Sequence, residues 1–103
     1  MRSIADLLCA VRKTLAPGWC PFTCMTEDGT ACCSDDESAW VFDLIGAINH
    51  CATSAQERLA AWDALDSVTD GFAFTWSLAE GRTLGQLLTA ILAAEERAAL
   101  EAR

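Results

Sequence analysis

The sequence predicts a mostly α (α+β) fold, four helices with a small β-hairpin packed on them, and three observations carry that expectation. Apolar residues recur at spacings of 3, 4 and 7 in separate stretches, as they do on helices with one buried face. These stretches open on Ser3, Ser34, Ser54 and Thr83, each with Asp, Glu or Gln three places on, the pattern of a side-chain cap. A single Asp28-Gly29 pair stands between two short segments rich in Thr and Cys, where it suits a tight hairpin.

Size and composition set the frame. The 103 residues make one domain, 1–103, which by size scaling buries roughly 65% of its unfolded surface. A hydrophobic content of 52%, with four Trp and four Phe, argues against disorder. Asp6, Arg12 and Lys13 interrupt the opening segment, so the pattern of an export signal is missing. The longest apolar run also falls short of the roughly 18 residues of a membrane span. The expectation is a cytosolic protein with no membrane partner, in which the six cysteines are reduced thiols rather than a disulfide framework.

The first helix is expected at 3–16, with Ile4, Leu7, Leu8, Val11 and Leu15 as its stripe and Pro17-Gly18 as its stop. A hairpin at 19–33 follows, with Asp28 and Gly29 supplying both positive-φ positions, and Trp19, Phe22 and Met25 leaning on the helices. The second helix, 35–51, contains the most apolar stretch of the chain, Ser38 to Cys51, and is expected to be the element on which the others pack. Trp40, Val41, Phe42, Leu44, Ile45, Ile48 and Cys51 fall on one broad face of it; Asp43, Gly46, Ala47 and His50 form a narrow stripe opposite. That stripe is open to three readings, in order of preference a solvent strip, a close helix crossing, or a site containing Asp43 and His50. A third helix at 55–69 has Leu59, Trp62, Leu65 and Val68 as its core side. From Phe72 to Leu78, aromatic and apolar residues alternate with small ones, which predicts an extended segment. The last helix, 84–100, carries Leu84, Leu87, Leu88, Ile91 and Leu92, and its end is expected to project or fray from Glu95.

Charge is the most informative bulk property. Fifteen acids against seven bases leave a net charge of −8, distributed as +2 over residues 1–26, −10 over 27–80 and zero over 81–103. Direct nucleic-acid binding through a basic surface is therefore not expected, and a basic protein or nucleoprotein complex is the natural complement.

Chemistry has few footholds. Cys20, Cys24, Cys32, Cys33, His50 and Cys51 include the ligand types of a zinc site, but the knuckle is loose and adjacent cysteines in a strand point to opposite faces. The thiols are therefore read as packing residues, with no metal and no cofactor, and a zinc-binding module as an alternative. The one histidine, His50, cannot face adjacent Cys51 on a helix; a Cys20 or Cys24 to His50 pair across the fold is open but nothing in the sequence selects it, and no phosphate loop or hydrolase elbow is present, so no catalytic residue and no enzyme is expected.

A helix, then Trp19 and a hairpin with Asp28-Gly29, an acidic start at Asp35-Asp36, an apolar helix with Gly46-Ala47, and Trp76 followed by Gly81-Arg82-Thr83 before the last helix form a pattern over nearly the whole chain. It resembles an uncharacterised family of small bacterial and bacteriophage proteins, with Asp43 standing where that family carries a Cys. The resemblance implies the fold and a mobile-element context and brings no activity. By type, a small acidic protein in that context is similar to the phage inhibitors called anti-CRISPR proteins, which would act in the host cytosol.

Asp63, Asp66 and Asp70 share one edge of the third helix, rising by about 4.5 and 6 Å, comparable with one or two nucleotide steps of a DNA strand. Such an edge is also what a solvated helix face looks like. Read as function, these three acids, with Asp35, Asp36 and Glu37 as a second patch, are the candidate partner-binding residues of a nucleic-acid mimic that blocks a basic surface. The alternative is a structural or assembly protein using Trp62, Trp76 or the Gly46-Ala47 strip as an apolar interface.

Overall fold

Ser3 stops its own strand-like backbone and accepts the Asp6 N–H on its Oγ at 3.1 Å, which starts helix α1 (Ile4–Leu15) where the sequence places it. A computed structural model describes residues 2–20, 24–32, 37, 39–69 and 71–102. Leu7, Leu8, Val11 and Leu15 of α1 are at most 1% exposed.

Past Trp19, β1 (Cys24–Thr26), β2 (Ala31–Cys32) and β3 (Ala39–Val41) form an antiparallel sheet in the order β2-β1-β3. Cys24 stands opposite Cys32 and Met25 opposite Ala31. The hairpin is where it was expected, but its turn differs. Among the described residues only glycines have positive φ, so Gly29, at 89°, takes the left-handed position alone. Gly29 N donates to Thr26 O at 3.0 Å and Thr26 N to Thr30 O at 2.8 Å, which makes a three-residue loop closed by a glycine bulge. In such a loop Asp28 keeps a negative φ, and its carboxylate accepts the Thr30 N–H at 3.1 Å and the Thr26 hydroxyl. The expected strand ends Thr23 and Cys33, the ribbon's Phe22 and the expected cap Ser34 lie outside the described residues.

The helix expected at 35–51 is cut by β3. Trp40 and Val41 suit a pleated strand as well as a helix, and β1 offers them an open edge to pair with. Helix α2 (Leu44–Cys51) starts later, capped by Asp43 Oδ1, which accepts the Gly46 N–H at 2.7 Å. Its faces are also corrected. Leu44, Gly46, Ala47 and Ile48 are buried, whereas Ile45 is 37% and Trp40 52% exposed. Of the three readings of the small stripe, Gly46 and Ala47 fit the close crossing.

Helix α3 (Ala55–Asp66) is capped by Ser54, whose Oγ takes the Glu57 N–H at 3.1 Å. It buries Glu57, Ala61 and Leu65, four residues apart, and leaves Trp62 and Val68 half-buried and Leu59 67% exposed. Small Ala61 and a partnered Glu57 hold the inward face that the larger Leu59 was expected to hold.

The segment expected to be extended is a short helix, α4 (Ala73–Ser77). Phe72 provides no side-chain cap, and Asp66 reaches across to accept the Ala73 N–H at 2.8 Å instead. Ala73 and Ser77, one helical turn apart, face the core, and Phe72 and Phe74 turn outward while Trp76 stays half-buried.

Helix α5 (Leu84–Glu101) has a complete capping box, with Thr83 Oγ1 taking the Gln86 N–H at 3.1 Å and Gln86 Oε1 taking the Thr83 N–H at 3.0 Å. Leu87, Ile91 and Ala94 are buried along it. The helix does not fray at Glu95, which is 9% exposed and paired with Arg12. Helix α1 packs on α2, α3 and α5, so the hub is α1 rather than the Ser38–Cys51 stretch. Among the described residues no helix is long and apolar enough to cross a membrane.

Candidate partner-binding surface

Four arginines are engaged by partners within the chain. Arg2 pairs with Glu57 at 3.5 Å and donates to the Cys51 carbonyl, tying the start of the chain to the α2–α3 junction. Glu57 also accepts the Thr53 N–H at 2.7 Å and the Thr53 hydroxyl at 2.8 Å, and these bonds, with Arg2, hold its pKa down at about 2. Arg12 pairs with Glu95, and the hydrogen bond to that carboxylate raises the guanidinium pKa. Arg97 bonds Glu101 and the Ser67 carbonyl, each at 3.2 Å. Arg82 lies 3.8 Å over the Trp76 ring and donates to the Trp76 carbonyl at 3.0 Å.

Exposed acids remain on the outside. Glu37 sits with Glu27 and Asp28 around a shallow groove of about 660 Å³ at the hairpin end, against half-exposed Trp40. The Thr26 hydroxyl and the Thr30 side chain and N–H favour the charged form of Asp28 and lower its pKa. Asp35 and Asp36, the rest of the second expected patch, lie outside the described residues.

Asp63 and Asp66 are three residues apart on α3 but open into different grooves. Asp63 is exposed in a trough of about 240 Å³ between α3 and α5, walled by Ala60, Ala64, Ala94 and Ala98 and shared with Arg97 and Glu101. Asp66 is half-buried, since it caps α4, and lines a groove of about 450 Å³ with Ile45, Trp62, Phe72, Phe74 and Thr75. Asp70, the third member of the expected row, lies outside the described residues. No ion pair to Asp63, Asp66, Glu27, Asp28 or Glu37 occurs among the described residues.

The groove around Asp66 was not read from the sequence. Trp62 and Phe74 meet edge to face, centroids 6.5 Å apart, while Phe72 is 74% and Phe74 43% exposed. Its only signal was the spacing of small Ala73 and Ser77 between large aromatics, which suits a helix with the small side inward. Of the other apolar-interface candidates, Trp76 lies half-buried under Arg82 and the Gly46-Ala47 strip is buried.

Two of the thiols meet polar neighbours at the edge of the core. Cys24 is buried, which pushes its pKa up to about 11, and its Sγ donates to Asp43 at 3.6 Å. Burial likewise raises the Cys51 thiol, which meets the Thr14 hydroxyl at 3.2 Å. A thiol held protonated is a weak nucleophile and a weak metal ligand. The His50 ring lies 4.9 Å from that of Phe42, tilted by 50°, and among the described residues no three His, Cys, Asp or Glu side chains gather as a metal would need.

Fold and surface together define a small, mostly helical protein with an acidic exterior, an aromatic groove and internally engaged arginines. No family model, curated protein or solved structure matches the chain.

Proposed function

We propose that the protein acts without catalysis, as an acidic interaction protein that covers a basic nucleic-acid-binding surface of a larger bacterial nucleoprotein, with a defence complex as the target class and the host cytosol as the place of action. The supporting observation is the disposition of charge. Arg2, Arg12, Arg82 and Arg97 are engaged within the fold, while Glu27, Asp28, Glu37 and Asp63 lie exposed on a chain of net charge −8. Carboxylates displayed in this way compete with phosphates for lysine and arginine and speed encounter with a basic partner.

The test is affinity capture from a bacterial lysate at low and high salt, identification of the captured protein, and competition with DNA or RNA. Binding should fall steeply with salt, because exposed charge pairs are screened over about 8 to 10 Å. Asp→Asn at 63, 66 and 70 together should keep the circular dichroism spectrum, since an asparagine oxygen at 66 still accepts the Ala73 N–H, and should abolish capture. A triple variant that binds the same partner as tightly as the parent would overturn this reading.

A second reading, an assembly protein with an apolar interface, is favoured by the exposed Ile45, Phe72 and Phe74 around Trp62. On that reading binding holds at high salt and is lost with Phe72→Ser.

A further inference from the structure

The groove between α2, α3 and α4 has a composition that neither a plain apolar anchor nor an anion satisfies. Three aromatic rings, Trp62, Phe72 and Phe74, and the edge of Ile45 surround one carboxylate, Asp66. Oδ1 of that carboxylate accepts the Ala73 N–H at 2.8 Å; its second oxygen has no hydrogen bond or ion pair among the described residues. Among the described residues no cation lines the groove. An apolar side chain seated there would cover Asp66 and leave its charge without water or partner, which is costly. An anion would meet both the carboxylate and the negative ring faces. A second copy of the chain would bring a charge of −8 toward another.

The remaining fit is a cation on an apolar stem. We infer that this groove seats one arginine side chain of a basic protein partner, its methylenes against Phe72 and Phe74 and its guanidinium shared between the Trp62 ring and the Asp66 carboxylate. The assignment rests on the proposed basic partner and gives that partner a specific anchor. Guanidinium suits the place better than ammonium, because its planar, weakly hydrated group stacks on a ring while its edge forks to a carboxylate. The same chemistry is already present in this chain, where Arg82 lies 3.8 Å over Trp76 and its edge donates to a carbonyl. A volume of about 450 Å³ leaves room for the side chain and part of the backbone that carries it.

The test is an NMR titration of the ¹⁵N-labelled full chain with acetyl-Gly-Arg-Gly-amide and with its citrulline counterpart, which has the same shape and no charge. The arginine peptide should shift Ile45, Phe74 and the Trp62 indole N–H selectively, and the citrulline peptide should bind about fivefold to tenfold more weakly. Asp66→Asn, with an unchanged circular dichroism spectrum, should reduce arginine binding to the citrulline level. Equal binding of the two peptides, undiminished binding to Asp66→Asn, or no shift at tens of millimolar peptide overturns the assignment. If arginine binding fails while partner capture stays salt-sensitive, the groove assignment falls and the acidic-surface reading stands. If arginine binds as expected but capture ignores salt, the groove assignment stands and the wider reading falls.

Discussion

The guanidinium of Arg12 and the carboxylate of Glu95 meet in a two-point ion pair between α1 and α5, Nη2 donating to Oε1 at 3.1 Å and Nε to Oε2. The side chains are 31% and 11% exposed, so the pair lies between the surface and fully buried cases. Glu95→Ala leaves a half-buried cation alone and should destabilise the fold by about 2 kcal/mol, below the roughly 3 to 5 of a fully buried pair. Arg12→Met with Glu95→Leu should recover most of that loss, because an apolar pair leaves no charge behind. Urea unfolding of the parent, the single and the double variant reads both.

Acid should act through Glu57. Its folded pKa of about 2 lies below the ordinary 4.5, so the folded state favours the carboxylate. Its contribution is fully present above pH 4.5 and is lost as the pH falls toward 2. Glu57→Gln should be less stable than the parent at pH 7, and the gap should close across that window. Denaturant midpoints measured from pH 6 down to pH 2 would show it; a constant gap would contradict it.

On α3 the structure separates two leucines that were both expected on the core side. Leu65→Ala opens the core at a position 1% exposed and should cost about 3 kcal/mol. Leu59→Ala, at a position 67% exposed, should change stability by no more than about 0.5 kcal/mol. Thermal unfolding of the two variants distinguishes this arrangement from the one in which Leu59 faces the core.

Helix α4 allows an independent check of which side is inward. Phe72→Ser should leave stability within about 0.5 kcal/mol of the parent, because the ring is 74% exposed. Ala73→Leu forces a large side chain into a position 1% exposed and should cost about 1 to 3 kcal/mol. An extended segment with Phe72 packed inward would give the opposite order in the same unfolding assay.

The elements legible in the sequence are those decided within a few residues. Ser3 to Asp6, Ser54 to Glu57 and Thr83 to Gln86 close their caps three residues on, and Asp28-Gly29 marks the hairpin, so α1, α3, α5 and the turn follow from local chemistry. The expected acids are legible as types and charge, but not as a surface: Asp63 and Asp66 open into separate grooves because α5 flanks one and α4 the other.

Tertiary structure decided the rest, wherever one sequence satisfies two local conformations or the partner is remote. Trp40 and Val41 become strand because β1 offers an edge, and residues 73–77 become helix because Asp66, seven positions back, supplies the missing cap. Glu95 turns inward because Arg12, 83 positions away, neutralises it. Periodicity reports which residues are apolar, whereas burial depends on what comes to lie against them, and here α1 and small residues such as Ala47, Ala61 and Ala73 set how closely neighbours approach. The aromatic groove exists only because those small residues face inward and leave Phe72 and Phe74 on the outside.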